Sequence, residues 1–126
     1  MLAGLSPATR LITIGAPAHR LDIARRLGVT DVVALESADA AGRHDHVMEL
    51  TAGRGADVVV EATGQPAAFA EGIDMLAVEG SYLVVGLFSG GGRVPFDPVR
   101  LNNRSQRILG SLSSEPNARI RPLVQR

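Results

Sequence analysis

The sequence has 126 residues, of which 45% are hydrophobic and 21% charged, a composition typical of one folded domain with a buried core. Thirteen basic residues balance thirteen acidic residues, so the zero net charge gives no indication of a nucleic-acid partner or an anionic membrane surface. The chain has no cysteine and every cation is arginine, which excludes disulfides, thiolate chemistry, Schiff-base lysines and a lysine-containing P-loop.

The longest apolar run, residues 82–88, is far shorter than the roughly 18 residues that a membrane helix needs. The amino terminus also lacks the charged and apolar regions of a secretory signal. From these features we predict a cytoplasmic protein without a membrane partner.

Short β-branched runs alternate with helical segments along the chain, which predicts βαβ units and a mainly parallel sheet. A strand at 11–14 is followed by a helix from Pro17 to Gly28, and a strand at 31–35 by a weaker helix at 43–51. A Val-rich strand at 56–62 follows, with the continuous apolar run typical of a central strand that is covered on both faces. A helix then runs from about 66 to 79, and 82–88 forms the next strand.

Beyond the glycines at 90–92, Asp97 and Pro98 predict an N-cap and the first turn of a brief helix. The last predicted strand covers residues 107–112, and a further helix begins near residues 113–116. The chain contains no internal repeat.

Two features outside this pattern are candidate polar sites. His44 and His46 flank Asp45 and resemble a small metal site, but on a helix they point about 200° apart, which favours solvated polar residues. Glu61 lies in an otherwise apolar strand, where an unpaired buried carboxylate is costly. We expect it to face either a ligand-binding cleft or donors at the strand end.

Residues 53–64 resemble a signature of the zinc-binding, medium-chain alcohol dehydrogenases, a strand that ends in a Thr-Gly turn. Residues 82–87, 94–97 and 108–111 follow at the family's spacing, and 20–28 are similar to its second Rossmann helix. The resemblance covers essentially the whole chain but only the cofactor-binding half of the family. It implies a Rossmann-like, mainly parallel sheet with flanking helices, and a partial dinucleotide-binding domain at 1–126.

The family's first strand and its glycine-rich GxGxxG turn have no counterpart in the sequence. We therefore expect the chain to begin inside the Rossmann fold and to be truncated at both ends. Without the missing strand, the strands at 11–14 and 58–62 are either separated or paired directly. The family's zinc ligands belong to another domain, so the resemblance implies neither a metal ligand nor a catalytic residue on this chain.

The resemblance implies contacts with NAD or NADP at the ends of strands. Gly15 stands where an acidic residue ordinarily binds the adenosine ribose, and Arg20 matches a basic position near that ribose. Arg20, with His19 beside it, could pair with the 2′-phosphate of NADP. Alternatively, Gly15 only makes a turn and Arg20 contacts ribose hydroxyls or caps the helix surface, so NAD and NADP both stay open.

The remaining expected contacts follow the later strands. Thr63 and Gly64 would lie near the adenine or pyrophosphate, and residues 85–87 near the nicotinamide carboxamide. The last expected contacts are Gly110 and Ser111. Turn geometry or core packing is the competing explanation for each. The cofactor-binding set is Gly15, Arg20, Thr63, Gly64, Val85, Gly86, Leu87, Gly110 and Ser111.

The resemblance thus predicts the cofactor-binding part of an NAD(P)-dependent zinc-type alcohol dehydrogenase, acting on an alcohol or carbonyl compound and inactive alone. One alternative is a non-catalytic module that binds a nucleotide weakly or forms a homodimer through the edge strand 107–112. Another is a truncated remnant of such an enzyme.

Overall fold

The computed structural model describes residues 10–111. The chain divides into two compact units, Met1–Arg54 and Gly55–Arg126. The helix predicted to begin near residue 113 lies outside the described residues, as does Leu112, the last residue of the predicted strand. No helix in the described part of the chain has the length and apolar character of a membrane span.

The first unit consists of two parallel strands and two helices. Strand β1 (Ile12–Gly15) leads to helix α1 (Ala18–Arg26), and strand β2 (Asp31–Ala34) leads through a short 3-10 turn to helix α2 (Ala40–Leu50). β1 and β2 pair in register from Ile12 with Asp31 to Gly15 with Ala34. α2 begins three residues before the predicted position because the Asp39 carboxylate accepts a 2.8 Å hydrogen bond from the Gly42 amide.

The second unit is a three-stranded parallel sheet in the order β3-β4-β5. Strand β3 (Ala56–Glu61) precedes helix α3 (Pro66–Asp74), strand β4 (Leu76–Val84), helix α4 (Pro98–Asn103) and strand β5 (Arg107–Gly110). As predicted, Asp97 caps α4, accepting a 2.9 Å bond from the Val99 amide. The α/β class with parallel sheets and flanking helices is therefore confirmed.

The core of the second unit lies between the sheet and α3. Its buried residues are Ile73, Leu76 and Tyr82, with four partly buried side chains packed against them: Val59, Phe69, Val84 and Ile108. The Phe69 and Tyr82 rings are 5.1 Å apart, and the Tyr82 hydroxyl donates a 3.2 Å bond to the Phe69 carbonyl. This packing fixes α3 on one face of the sheet.

The boundary between α3 and β4 differs from the prediction. Leu76 was expected on the helix, but α3 ends at Asp74 and Leu76 pairs with Ala56 as the first residue of β4. The buried Gln106 side chain holds this start, donating 3.0 Å bonds to the carbonyls of Leu76 and Ala77. β4 then ends at Val84 rather than at residue 88, and the amides of the next two residues both donate to the carbonyl of Glu61.

The prediction that β3 is central and covered on both faces is wrong for the described residues. β3 is the first strand in the sheet order and β4 is central. Val58 and Val60 are 62% and 56% exposed. They lie on the face opposite α3, because residues on a strand alternate and Val59 is the one that packs against the helix. A Val run alone does not distinguish a buried face from an exposed one.

Candidate functional site

The carboxyl ends of β3, β4 and β5 lie at the same edge of the second unit. Thr63 and Gly64 follow β3, residues 85–87 follow β4, and Gly110 ends β5. The Ser111 amide donates a 2.9 Å bond to the Val84 carbonyl, which ties the end of β5 to the end of β4. This edge therefore gathers seven of the nine residues predicted as cofactor contacts.

Glu61 connects the first two of these strand ends. Its side chain is buried, and Oε1 accepts hydrogen bonds from the Thr63 amide (2.6 Å), the Thr63 hydroxyl (2.5 Å) and the Gly64 amide (2.9 Å). Its backbone carbonyl accepts bonds from the amides of Val85 (2.8 Å) and Gly86 (3.0 Å). Of the two roles that the sequence left open for Glu61, the structure supports binding to donors at the strand end.

Backbone packing explains two of the predicted glycines. Gly64 has a φ of +71°, and a Cβ on it would lie 2.7 Å from the Leu87 carbonyl carbon. A Cβ on Gly86 would lie 2.8 Å from the Gly64 Cα and would also overlap Oε2 of Glu61. Both glycines allow the two strand-end segments to touch each other, so the competing explanation of turn geometry accounts for their identity.

The other residues of this edge leave room for a ligand. Leu87 is 70% exposed, and Thr63, Val85 and Ser111 are also exposed. Among the described residues, no atom other than those of its chain neighbours lies within 4 Å of the position that a Cβ on Gly110 would take.

The two predicted contacts of the first unit lie after β1. Gly15 ends that strand without a positive φ, and a Cβ on it would make only an ordinary 3.5 Å contact with Leu21. The turn therefore does not require glycine at this position. Arg20 lies exposed in the first turn of α1, and its guanidinium makes no hydrogen bond or ion pair within the described residues. Its charge is available to an anionic group.

The two histidines flanking Asp45 lie on helix α2. His44 lies 3.1 Å from Asp45 and His46 lies 3.8 Å from Glu49, all on the surface of α2. In the described residues no three histidine or carboxylate side chains come together as ligands, and the sequence has no cysteine. The residues that the structure describes therefore do not fit a zinc ion.

One further group has an altered ionisation. Burial, together with the nearby Glu61 carboxylate, raises the pKa of the Tyr82 hydroxyl well above its usual range. The phenol is therefore a neutral hydrogen-bond donor at physiological pH.

Comparison with known proteins identifies a family for the whole chain. A family described as zinc-binding dehydrogenase matches residues 1–126. A 5-exo-hydroxycamphor dehydrogenase from Pseudomonas putida is 34% identical over 116 residues, which cover 92% of this chain and 32% of that protein.

Solved structures agree with this match. Benzyl alcohol dehydrogenase from Acinetobacter calcoaceticus superposes with a TM-score of 0.83 at 30% identity, covering 98% of this chain and 33% of that one. A mycobacterial protein solved in complex with NADPH superposes with a TM-score of 0.67 at 28% identity, covering 82% of this chain and 31% of that one. The chain thus spans about a third of the length of these relatives.

Proposed function

The chain belongs to the zinc-binding dehydrogenase family, and from this premise we propose that residues 1–126 are part of its dinucleotide-binding domain and bind NAD or NADP. The observation that carries the proposal is the edge of the second unit, where seven of the nine residues predicted as cofactor contacts follow three parallel strands. Ligands of open α/β sheets bind at the carboxyl ends of strands. The cytoplasmic location stays a prediction.

The proposed site holds the cofactor rather than transforming a substrate. When bound, the dinucleotide supplies the hydride donor or acceptor for an alcohol or carbonyl carbon. Val85 and Leu87 contribute exposed apolar surface at the end of β4, and Ser111 contributes a hydroxyl at the end of β5. These groups bind and orient a ring and exclude water from one of its faces.

The two predicted contact residues of the first unit, Gly15 and Arg20, support NADP rather than NAD as the cofactor. Gly15 provides no carboxylate to bind the adenosine ribose hydroxyls, although the backbone at this position has room for a side chain. The guanidinium of Arg20 is available for a charge-assisted bond to a 2′-phosphate. We expect Arg20→Gln to weaken NADPH binding about tenfold and NADH binding much less. Arg26→Gln, on the exposed end of the same helix, is the matched control.

The direct experiment is a titration of the purified 126-residue chain with NADH and NADPH, followed by nicotinamide fluorescence and calorimetry. Saturable binding of either dinucleotide supports the proposal. If the chain is folded but binds neither dinucleotide at millimolar concentration, the proposal is contradicted. The remaining explanations are then a non-catalytic module for association or a truncated remnant of an enzyme. Since the described residues do not fit zinc, we also expect this chain alone to oxidise no alcohol. Zinc-dependent oxidation by the purified chain would contradict that expectation.

A second candidate function is homodimer formation through β5. β5 is the last strand in the sheet order, and Leu109 on it is 52% exposed. An edge strand of this kind pairs readily with a second copy. Sedimentation analysis tests the candidate: we expect Leu109→Glu to convert a dimer to a monomer, whereas Val99→Glu, at an exposed position of α4, leaves the mass unchanged. A wild-type monomer at all concentrations would exclude the dimer.

A further inference from the structure

The Glu61 carboxylate lies at the edge of the second unit where the cofactor contacts are predicted. The residue is only 4% exposed. Oε1 accepts three hydrogen bonds, whereas Oε2 is buried without a hydrogen-bond partner among the described residues. No arginine in the described part of the chain forms an ion pair with it. Within the described residues, the carboxylate is therefore held by neutral donors and has no cation paired with it.

This carboxylate also uses the donors that an anionic ligand would need. Proteins bind phosphate at strand ends mainly through free backbone N–H groups. Here the amides of Thr63 and Gly64 point at Oε1 of Glu61, and so does the Thr63 hydroxyl. The amides of Val85 and Gly86 point at the Glu61 carbonyl. Four N–H groups and one O–H group of this edge thus donate to oxygen atoms of Glu61 and not to a ligand.

A phosphate over the Thr63–Gly64 turn would meet a like charge and find these donors occupied. Like charges at short range disfavour binding, most strongly where water is excluded. An uncharged part of a ligand has no such penalty. Glu61 therefore distinguishes between the neutral and the anionic parts of a dinucleotide.

We propose that Glu61 is a selectivity-determining residue that makes the Thr63–Gly64 turn reject phosphate, so that an uncharged part of the dinucleotide lies over it. This inference rests on the proposed function. The sequence predicted that Thr63 and Gly64 lie near the adenine or the pyrophosphate, and the inference excludes the pyrophosphate. Glu61 acts through the turn that it holds and is a positioning residue.

Two simple probes test the proposal on the wild-type chain. Adenosine represents the uncharged part of the cofactor and inorganic pyrophosphate the anionic part, and each is titrated while the amide NMR signals of residues 63–65 are followed. We expect adenosine to shift these signals and pyrophosphate to leave them unchanged at equal concentration. Equal shifts with both probes, or no shift with either, would overturn the proposal.

A variant separates the charge of Glu61 from its shape. Glu61→Gln keeps the size of the side chain and an acceptor for the three donors but removes the charge. We expect it to bind pyrophosphate at the turn at least about tenfold more tightly than the wild type. Glu79→Gln removes an exposed negative charge from the same unit and should leave the response to pyrophosphate unchanged. A purely structural role for Glu61 predicts no gain of pyrophosphate binding, so an unchanged response in a folded Glu61→Gln variant would also overturn the proposal.

The probe comparison needs no variant and stays decisive if Glu61→Gln does not fold. Titration with NADH and NADPH reports separately on the proposed function. Dinucleotide binding together with pyrophosphate shifts at residues 63–65 in the wild type contradicts the role of Glu61 and leaves the proposed function intact. Failure of both dinucleotides to bind contradicts the proposed function itself, whatever the two probes do.

Discussion

Gly64 lies directly against the backbone of Leu87, so that a Cβ on Gly64 would overlap the Leu87 carbonyl and come within 3.1 Å of its amide nitrogen. Gly64 also has a φ of +71°, a conformation that costs an alanine about 1–2 kcal/mol. The contact joins the segment after β3 to the segment after β4.

We therefore expect Gly64→Ala to lower the free energy of unfolding by at least about 2 kcal/mol, since strain and overlap with backbone atoms add. Urea unfolding followed by circular dichroism measures the change. Gly90→Ala is the control, because no atom lies within 4 Å of the Cβ that it would add. Equal stabilities of the two variants would contradict the contact between Gly64 and Leu87.

Tyr82 makes stability depend on pH in the alkaline range. Its raised pKa means that the folded chain holds the phenolic proton more tightly than the unfolded chain does. The stabilisation is complete below the ordinary tyrosine pKa of about 10 and is lost as the pH rises above it. The sequence contains one tyrosine and neither cysteine nor lysine, so no other side chain titrates in this interval.

We expect the free energy of unfolding of the wild type to fall as the pH rises above about 10, and that of Tyr82→Phe to stay nearly constant. At neutral pH the variant should be less stable by about 1 kcal/mol, because the carbonyl of Phe69 loses a donor. The measurement is urea unfolding across this pH range. An equal alkaline decline in both proteins would show that Tyr82 is not responsible.

Gln106 supports the start of β4. Replacing it by leucine leaves the carbonyls of Leu76 and Ala77 without its two bonds inside the protein, which should cost about 2 kcal/mol. Thermal and urea unfolding measure this loss. Asn103→Leu, at the exposed end of α4, serves as the control and should change stability by less than about 0.5 kcal/mol. Unchanged stability of Gln106→Leu would contradict this role.

Gly15 offers a direct test of cofactor choice. Gly15→Asp adds a carboxylate at a position where the backbone accepts a Cβ, and it should weaken NADPH binding about tenfold while leaving NADH binding equal or tighter. Fluorescence titration with both dinucleotides measures the ratio. Gly15→Ala controls for the loss of glycine and should preserve the wild-type ratio. If aspartate and alanine have the same effect, Gly15 does not face the ribose.

Local patterns in the sequence predicted most of the elements. Asp97 and Pro98 predicted the start of α4, because capping depends on a few neighbouring residues. The edge of the second unit followed from the family resemblance together with the rule that parallel strands end on the same side. The α3–β4 boundary could not be predicted, because Leu76 suits either element and its place is decided by pairing with Ala56, a residue distant in sequence.

The sequence predicted which strand ends carry the candidate site, but not how the residues at those strand ends contact one another. Sequence reasoning noted Glu61 as an acid in an apolar strand but could not show that one oxygen atom collects the donors of Thr63 and Gly64. It also could not separate glycines that contact a ligand from glycines that contact backbone. That distinction depends on Leu87, which is 23 positions after Gly64 and becomes its neighbour only when the sheet forms.

The valines of β3 have a consequence for handling the protein. Within residues 10–111, β3 is the terminal strand of its sheet and carries two largely exposed β-branched side chains, Val58 and Val60. Such a strand is a template on which identical strands of other molecules can stack, the first step of cross-β aggregation. Refolding from denaturant should therefore lose more protein to aggregates as the protein concentration rises, and a charged residue in place of Val58 should raise the recovered yield.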